Sequence, residues 1–154
     1  MMQDHVDSIL KQWSTERPDL DPSPMGVIGR ISRASRYIDQ YLQKNYAQFG
    51  LDGGEFDVLA TLRRNGAPYQ LTPTALYSSM MISSGAMTNR LDRLEKAGYI
   101  ERKPHPNDRR GTLVTLTHKG LEVVDLAVVA HIAHEQKILT SLTADEQKVL
   151  ADLL

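Results

Sequence analysis

LTPTALYSSMMISSGAMTNRLDRLEKAGYIERKPHPNDRRGTLVTL, residues Leu71–Leu116, is the stretch that decides the fold of this chain. Thr72 is a natural N-cap with Pro73 in the first helical position, so a short helix is expected over about Thr72–Ser79. Met80–Ile82 make a turn. Ser83 caps a second helix to about Ala97, and Gly98 stands where a helix-ending glycine belongs. Tyr99–Lys103 and Thr112–Leu116 are strand-like. The KPHPNDRRG between them holds two prolines, Asn107-Asp108 and a glycine, so it is expected to project as a loop. Helix, turn, helix, strand, hairpin tip, strand is the order of a winged helix-turn-helix.

The flanks extend this unit. Upstream, Asp52 caps a helix to about Asn65, with Phe56, Leu59, Ala60 and Leu62 facing inward and Asn65-Gly66 as its stop signal. A long helix precedes it, with Ser23 as N-cap, Pro24 at the first position and an end near Gln48. Ile28, Ile31, Ser35, Ile38 and Leu42 form its stripe. Before Pro18, Pro22 and Pro24 comes a short helix, Asp4–Glu16, with Val6, Ile9, Leu10 and Trp13 at spacings of three and four. Downstream, Thr117 caps a second long helix, about His118–Leu142, and Thr143-Ala-Asp-Glu146 is a capping box that opens a final helix. The fold class expected is mainly α with a small β-hairpin wing, a winged helix-turn-helix with long flanking dimerisation helices. The divisions are 1–21 (extra N-terminal helix and linker), 22–50 (dimerisation helix), 51–116 (DNA-binding domain) and 117–154 (C-terminal dimerisation helices). The long helices carry more apolar surface than the small central unit covers, and pairing between two copies would bury it.

Composition narrows the function. The chain has 154 residues, 41% of them hydrophobic, and no cysteine, which excludes disulfides, thiolate metal sites and cysteine-based redox sensing. No apolar run approaches the ~18 residues of a membrane span, and the first ten residues have no signal-peptide pattern, so a cytoplasmic protein without membrane contact is expected. The net charge is only −1, yet Ser83–Gly120 carries +4 and the remainder −5. A basic face on an acidic protein suits double-stranded DNA.

The residues that would meet DNA are local. Ser83 and Ser84 beside a helix N-terminus suit phosphate. Thr88, Asn89, Arg90 and Arg93 follow on the same helix, and its early residues are small or polar, as close approach to base edges requires. Asn89 suits adenine, and Arg90 or Arg93 guanine. Met87, Leu91 and Leu94 form the opposite, inward stripe. Asp108, Arg109 and Arg110 sit at the hairpin tip, where arginine suits an A·T-rich minor groove. The structural alternative for the tip is a solvated turn.

With these residues in view, the chain resembles MarR-family transcriptional regulators. The matching residues are LTPTAL, SSGAMTNRLDRLEKAGYIER and the family's D-x-R-x-x-x-V-x-L-T wing signature, on Asp108, Arg110, Val114, Leu116 and Thr117. The resemblance is close over Leu51–Gly120. It implies a homodimer on a palindromic operator, usually repressing, and released by a small ligand. A narrower resemblance, carried by the extra helix, by WSTERPDLDPSPMGVIGR and by EFDVLATL, is to the subgroup that responds to urate. It implies a ligand site at Trp13, Asp57, Asn65 and Arg90, for urate or another anionic aromatic compound. Phe56 stands where that subgroup has tryptophan. The four residue types suit such a ligand on their own chemistry: a stacking face, a fork of cationic donors, and two hydrogen-bonding partners. The alternative is that Trp13 is core and Asp57–Arg90 a structural ion pair.

Other readings are weaker. His131, His134 and Glu135 form H-x-x-H-E, a spacing that could hold zinc and would make a metal-responsive regulator, but no acidic cluster accompanies it. Tyr37, Tyr41 and Tyr46 could line a pocket or pack. No glycine-rich phosphate loop and no nucleophile–base pair is evident, so neither a catalytic site nor a cofactor is expected. A winged helix that docks proteins, without ligand sensing, is the remaining alternative.

Overall fold

The computed structural model describes residues 3–81 and 87–154, with 109 and 110 described by their backbone alone. Among the described residues the order is α1 (His5–Glu16), α2 (Ser23–Ala47), α3 (Gly53–Arg64), β1 (Gln70–Leu71), α4 (Pro73–Ser79), α5 (Met87–Lys96), β2 (Ile100–His105), β3 (Asp108–Leu116), α6 (His118–Ile138) and α7 (Ala144–Leu153). The chain divides into two compact units, Met1–Tyr41 and Leu42–Leu154.

In the first unit α1 is started by a capping box. Asp4 accepts from the Asp7 amide at 2.9 Å, and Asp7 accepts from the Asp4 amide at 2.8 Å. Arg30 of α2 donates to both carboxylates, at 3.1 Å to Asp4 and 2.7 Å to Asp7. Val6 is buried against Gly29, where an added Cβ would stand 3.6 Å from its Cγ1. The Val6 contact and the Arg30 bonds to the two cap carboxylates together hold α1 on α2. Ser23 is not the N-cap of α2 but its first residue. Asp21 does the capping, accepting from the Ser23 amide at 2.9 Å and its hydroxyl at 2.8 Å, because a carboxylate two residues upstream reaches both. The stripe expected on α2 is largely exposed at its start, with Ile28 65% and Ile31 46% accessible.

The second unit holds the winged core. Leu59, Leu62, Leu76, Leu94, Ile100, Val114 and Val124 are fully buried, and so bring α3, α4, α5, the sheet and α6 onto one centre. At about 1.5–3 kcal/mol for each such side chain, this is the main stabilising term. α3 is buried over most of its circumference: Glu55, Asp57 and Thr61 join its apolar residues inside, while Ala60 is half-buried. The sheet is antiparallel in the order β1-β3-β2. The third strand, β1, was not expected. It is two residues long, Gln70 opposite Thr115 and Leu71 opposite Val114, too short to show a period.

Two boundaries differ from expectation. The wing is paired well into the segment read as loop. Pro104 lies opposite Thr112, a register shift follows between Pro104 and His105, and His105 meets Asp108, so only Pro106 and Asn107 turn. β2 is an edge strand, where a proline without N–H is tolerated. α6 ends at Ile138, not near Leu142. The Gln147 side-chain amide of α7 donates to the carbonyls of Leu139, at 3.3 Å, and Leu142, at 3.0 Å, and so satisfies carbonyls at the C-cap of α6 and in the turn that follows it.

Candidate nucleic-acid interface and effector site

α4 begins as expected: the Thr72 hydroxyl accepts from the Ala75 amide at 3.2 Å with Pro73 in the first turn. α5 carries Leu91 and Leu94 inward, and Gly98 closes it at φ 77°, a conformation that favours glycine. Thr88 and Asn89 are exposed. Ser83 and Ser84 lie outside the described residues, as do the side chains of Arg109 and Arg110. The backbone of 109 and 110 is in β3, just past the two-residue turn. Asp108 is exposed beside them. Gly111 is required there, since an added Cβ would stand 2.8 Å from the His105 Cβ and 3.0 Å from an Asp108 carboxylate oxygen.

Both arginines proposed to read guanine are directed at α3. Arg93 donates from Nε to Glu55 Oε1 and from Nη2 to Asp52 Oδ2, each at 2.7 Å. Those carboxylates are also the capping box of α3: Asp52 accepts from the Glu55 amide at 2.7 Å, Glu55 from the Asp52 amide at 2.9 Å. The bond to Glu55 raises the Arg93 pKa. The Arg90 guanidinium rests on Gly54, in the place a Cβ would take, and its Nε is shut off from solvent. Sequence reasoning recognised Asp52 as a cap but missed Glu55, although D-x-x-E was there to be read.

A second set of bonds ties α5 to the wing. Arg102 of β2 donates to Asp92 at 2.7 Å and, from Nε, to Glu95 at 3.0 Å, while its own amide donates to Glu95 at 3.1 Å. The bond from Arg102 holds the Glu95 carboxyl below its usual range, and the same bond pushes the Arg102 pKa up. At the C-terminal end of α5, the Thr117 hydroxyl donates to the Gly98 carbonyl at 2.6 Å and Lys119 to the Ala97 carbonyl at 2.8 Å. α5 is therefore fastened to α3, to β2 and to the start of α6.

The four residues of the implied ligand site have distinct settings. Trp13, on α1 in the first unit, is 42% accessible and so is not core within that unit. In the second unit Asp57 is buried at mid-α3, and Asn65, exposed at its C-cap, approaches the Gln70 carbonyl at 3.5 Å. Gly54, Asp57, Thr61 and Asn65 follow at spacings of three and four and share one face of α3. Arg90 reaches the first member of that row. Asp57 and Asn65 are eight residues apart, roughly 12 Å along the axis.

The histidines of H-x-x-H-E are otherwise engaged. His131 Nδ1 is 3.1 Å from the Tyr46 hydroxyl and its Nε2 3.1 Å from Glu135, in a stack with Tyr46 and Phe56. His134 Nδ1 is 2.8 Å from the Ala130 carbonyl. Among the described residues no group of three or more His, Asp or Glu could hold a metal ion. Tyr37 and Tyr41 are exposed and Tyr46 is buried. No helix among the described residues is long and apolar enough to cross a membrane.

A helix-turn-helix followed by a paired wing defines a winged-helix DNA-binding protein. The MarR family model matches residues 52–112. The chain is 44% identical over 149 residues to the HTH-type transcriptional regulator PecS of Dickeya dadantii (strain 3937), covering 97% of this chain and 90% of that one. It is 35% identical over 133 residues to the multiple antibiotic resistance protein MarR of Escherichia coli (strain K12), covering 85% and 88%. The crystal structure of a mutant MarR from E. coli complexed with operator DNA superposes with a TM-score of 0.73 at 28% identity, over 98% of this chain and 96% of that one. The chain belongs to the MarR family, and is a DNA-binding transcriptional regulator.

Proposed function

We propose that the protein is a homodimeric repressor that leaves a palindromic operator when a small anionic or aromatic ligand, urate or a relative of it, binds. The observation that carries the reading is the division of α5. Its early exposed residues, Thr88 and Asn89, are free to face a groove while Arg90 and Arg93 lie on α3, the helix that bears Asp57 and Asn65. Ser83, Ser84, Thr88 and Asn89 are assigned to the major groove and its phosphates, and Asp108, Arg109 and Arg110 to the minor groove. Arg90 and Arg93 are assigned to DNA binding as well, acting from α3 by holding the helix that presents these residues. Trp13, Asp57, Asn65 and Arg90 are assigned to the ligand.

The dimer rests on apolar surface. Val27, Ile28 and Ile31 on α2, Leu126, Val129 and Ile132 on α6, and Leu153 and Leu154 at the end of the chain are all exposed. A second copy of the chain packed on these helices would take that surface out of water. A two-fold dimer presents two recognition helices and so asks for two half-sites about one helical turn apart. The cytoplasm, where the DNA is, is the compartment assigned to it in this reading.

The ligand acts by linkage: whatever binds the DNA-incompetent arrangement better lowers operator affinity. A coupling of ~1–3 kcal/mol gives about 5–150-fold derepression. The test is fluorescence anisotropy on the DNA upstream of the protein's own gene, with and without urate. Trp13→Ala is expected to keep operator binding and lose the urate response. Arg90→Ala is expected to impair both. A Trp13→Ala protein released by urate as the wild type is would remove the ligand assignment and leave the DNA reading standing.

A further inference from the structure

We propose that the first turn of α3 is the seat of the recognition helix, and that Gly54, Asp52 and Glu55 are positioning residues for operator recognition. The proposal rests on α5 being the helix that enters the groove.

The geometry is a two-point grip. Arg90 and Arg93, three residues apart, lie on one face of α5. Arg93 closes a ring with the cap of α3: the Asp52 and Glu55 carboxylates each take one backbone amide of α3 and one nitrogen of Arg93. The Glu55 side chain is buried, only 11% accessible, while Arg93 is 54% accessible, so the bond is shielded from salt on the carboxylate side only. Arg90 supplies the second point. Its guanidinium occupies the volume of a Cβ on Gly54, a place that any other residue at 54 would take. Gly53, its neighbour, is different: a Cβ there meets Tyr46 at 3.3 Å, a tight contact but not an occupied site. A glycine inside a helix carries a conformational cost relative to alanine. At position 54 that cost is matched by the close approach it allows.

The chemistry also says what a side chain at 54 would do. The atoms it meets are the far end of a flexible side chain, so the fold need not move; Arg90 must. Alanine at 54 is therefore a way to unseat Arg90 without touching Arg90 itself. The orientation of α5 is then held by Arg93 alone on this side, and base readout, which depends on orientation, suffers more than phosphate contact does.

The test is a double-mutant cycle on operator affinity, with an unrelated duplex measured beside it. Gly54→Ala is expected to weaken operator binding about tenfold, in the middle of the range for coupled neighbours. Binding to the unrelated duplex should stay within twofold. In an Arg90→Ala background, where nothing fills the site, Gly54→Ala should change operator binding by less than twofold. Unchanged or tighter operator binding by Gly54→Ala overturns the proposal, and so does an equal loss in both backgrounds. Glu55→Gln tests the other point independently. Glutamine serves a capping box as glutamate does, so α3 keeps its cap while Arg93 loses one of its two charged partners. A several-fold loss of operator affinity at an unchanged melting temperature is expected, and wild-type affinity would overturn the role of Glu55. Wild-type protein that fails to bind the operator fragment at all would instead reject the DNA reading on which this rests.

Discussion

Gly120→Ala is the sharpest test of how α6 is joined to the DNA-binding unit. Gly120 lies in the first turn of α6, and its amide donates to the capping hydroxyl of Thr117 at 3.0 Å. A Cβ there would overlap the Tyr99 carbonyl oxygen and stand 2.8 Å from its carbon and 3.1 Å from the Tyr99 Cα. These are backbone atoms, held by the bond from the Thr117 amide to Tyr99 at 3.1 Å, so they cannot swing aside as Arg90 can. Alanine gains ~1 kcal/mol of helix propensity. Against that stand an overpacking cost of about 1–3 kcal/mol or more and the loss or stretching of a hydrogen bond worth about 1 kcal/mol. The net expectation is destabilisation by about 1–3 kcal/mol. For a domain of this size that lowers the melting temperature by about 2–12 °C, read by circular dichroism at fixed protein concentration, since a dimer's melting point depends on it. A melting temperature equal to or above that of the wild type would refute the reasoning, because propensity would then have outweighed the clash.

Two further outcomes are expected. Arg110→Ala should weaken operator binding by roughly 1–3 kcal/mol and leave the oligomeric state unchanged; unaltered anisotropy titrations at moderate salt would take the wing out of the minor groove. Acid should destabilise the protein through paired carboxylates. Glu95 lies below its ordinary value of 4.5 because Arg102 donates to it, and Glu146 because the Thr143 amide does. A group whose folded pKa is depressed contributes stability above its ordinary value, and that contribution fades as pH falls through the lowered one. The melting temperature should therefore drop below about pH 4.5, less steeply in Arg102→Met, which keeps the residue-102 amide bond to Glu95 but has no guanidinium bond to lose. A parallel acid profile in the two proteins would count against this pair.

The order of elements was legible because its signals are local. Thr72-Pro73, Asp52, Thr117 and Thr143 cap helices through contacts three residues away, and Gly66 and Gly98 end helices by a left-handed backbone that few other residues adopt. A capping box or a helix-ending glycine needs no distant partner, so the sequence alone carries it. The family resemblance was legible for the same reason: helix-turn-helix and wing are one continuous stretch. What tertiary structure alone decided has partners far away in the chain. β1 exists only because β3 offers it two residues of ladder, forty-odd positions downstream. The wing pairs past Pro104 because β2 is an edge, and the turn after α6 is tied to α7 by the bonds from Gln147 to the Leu139 and Leu142 carbonyls. Most consequential is the direction of Arg90 and Arg93. On a bare helix both are cations near the groove, as charge and spacing led us to expect. A long flexible side chain goes where its partner is, and the carboxylates of Asp52 and Glu55 and the open backbone of Gly54 stand some forty residues earlier, brought under α5 by the burial of Leu59, Leu91 and Leu94.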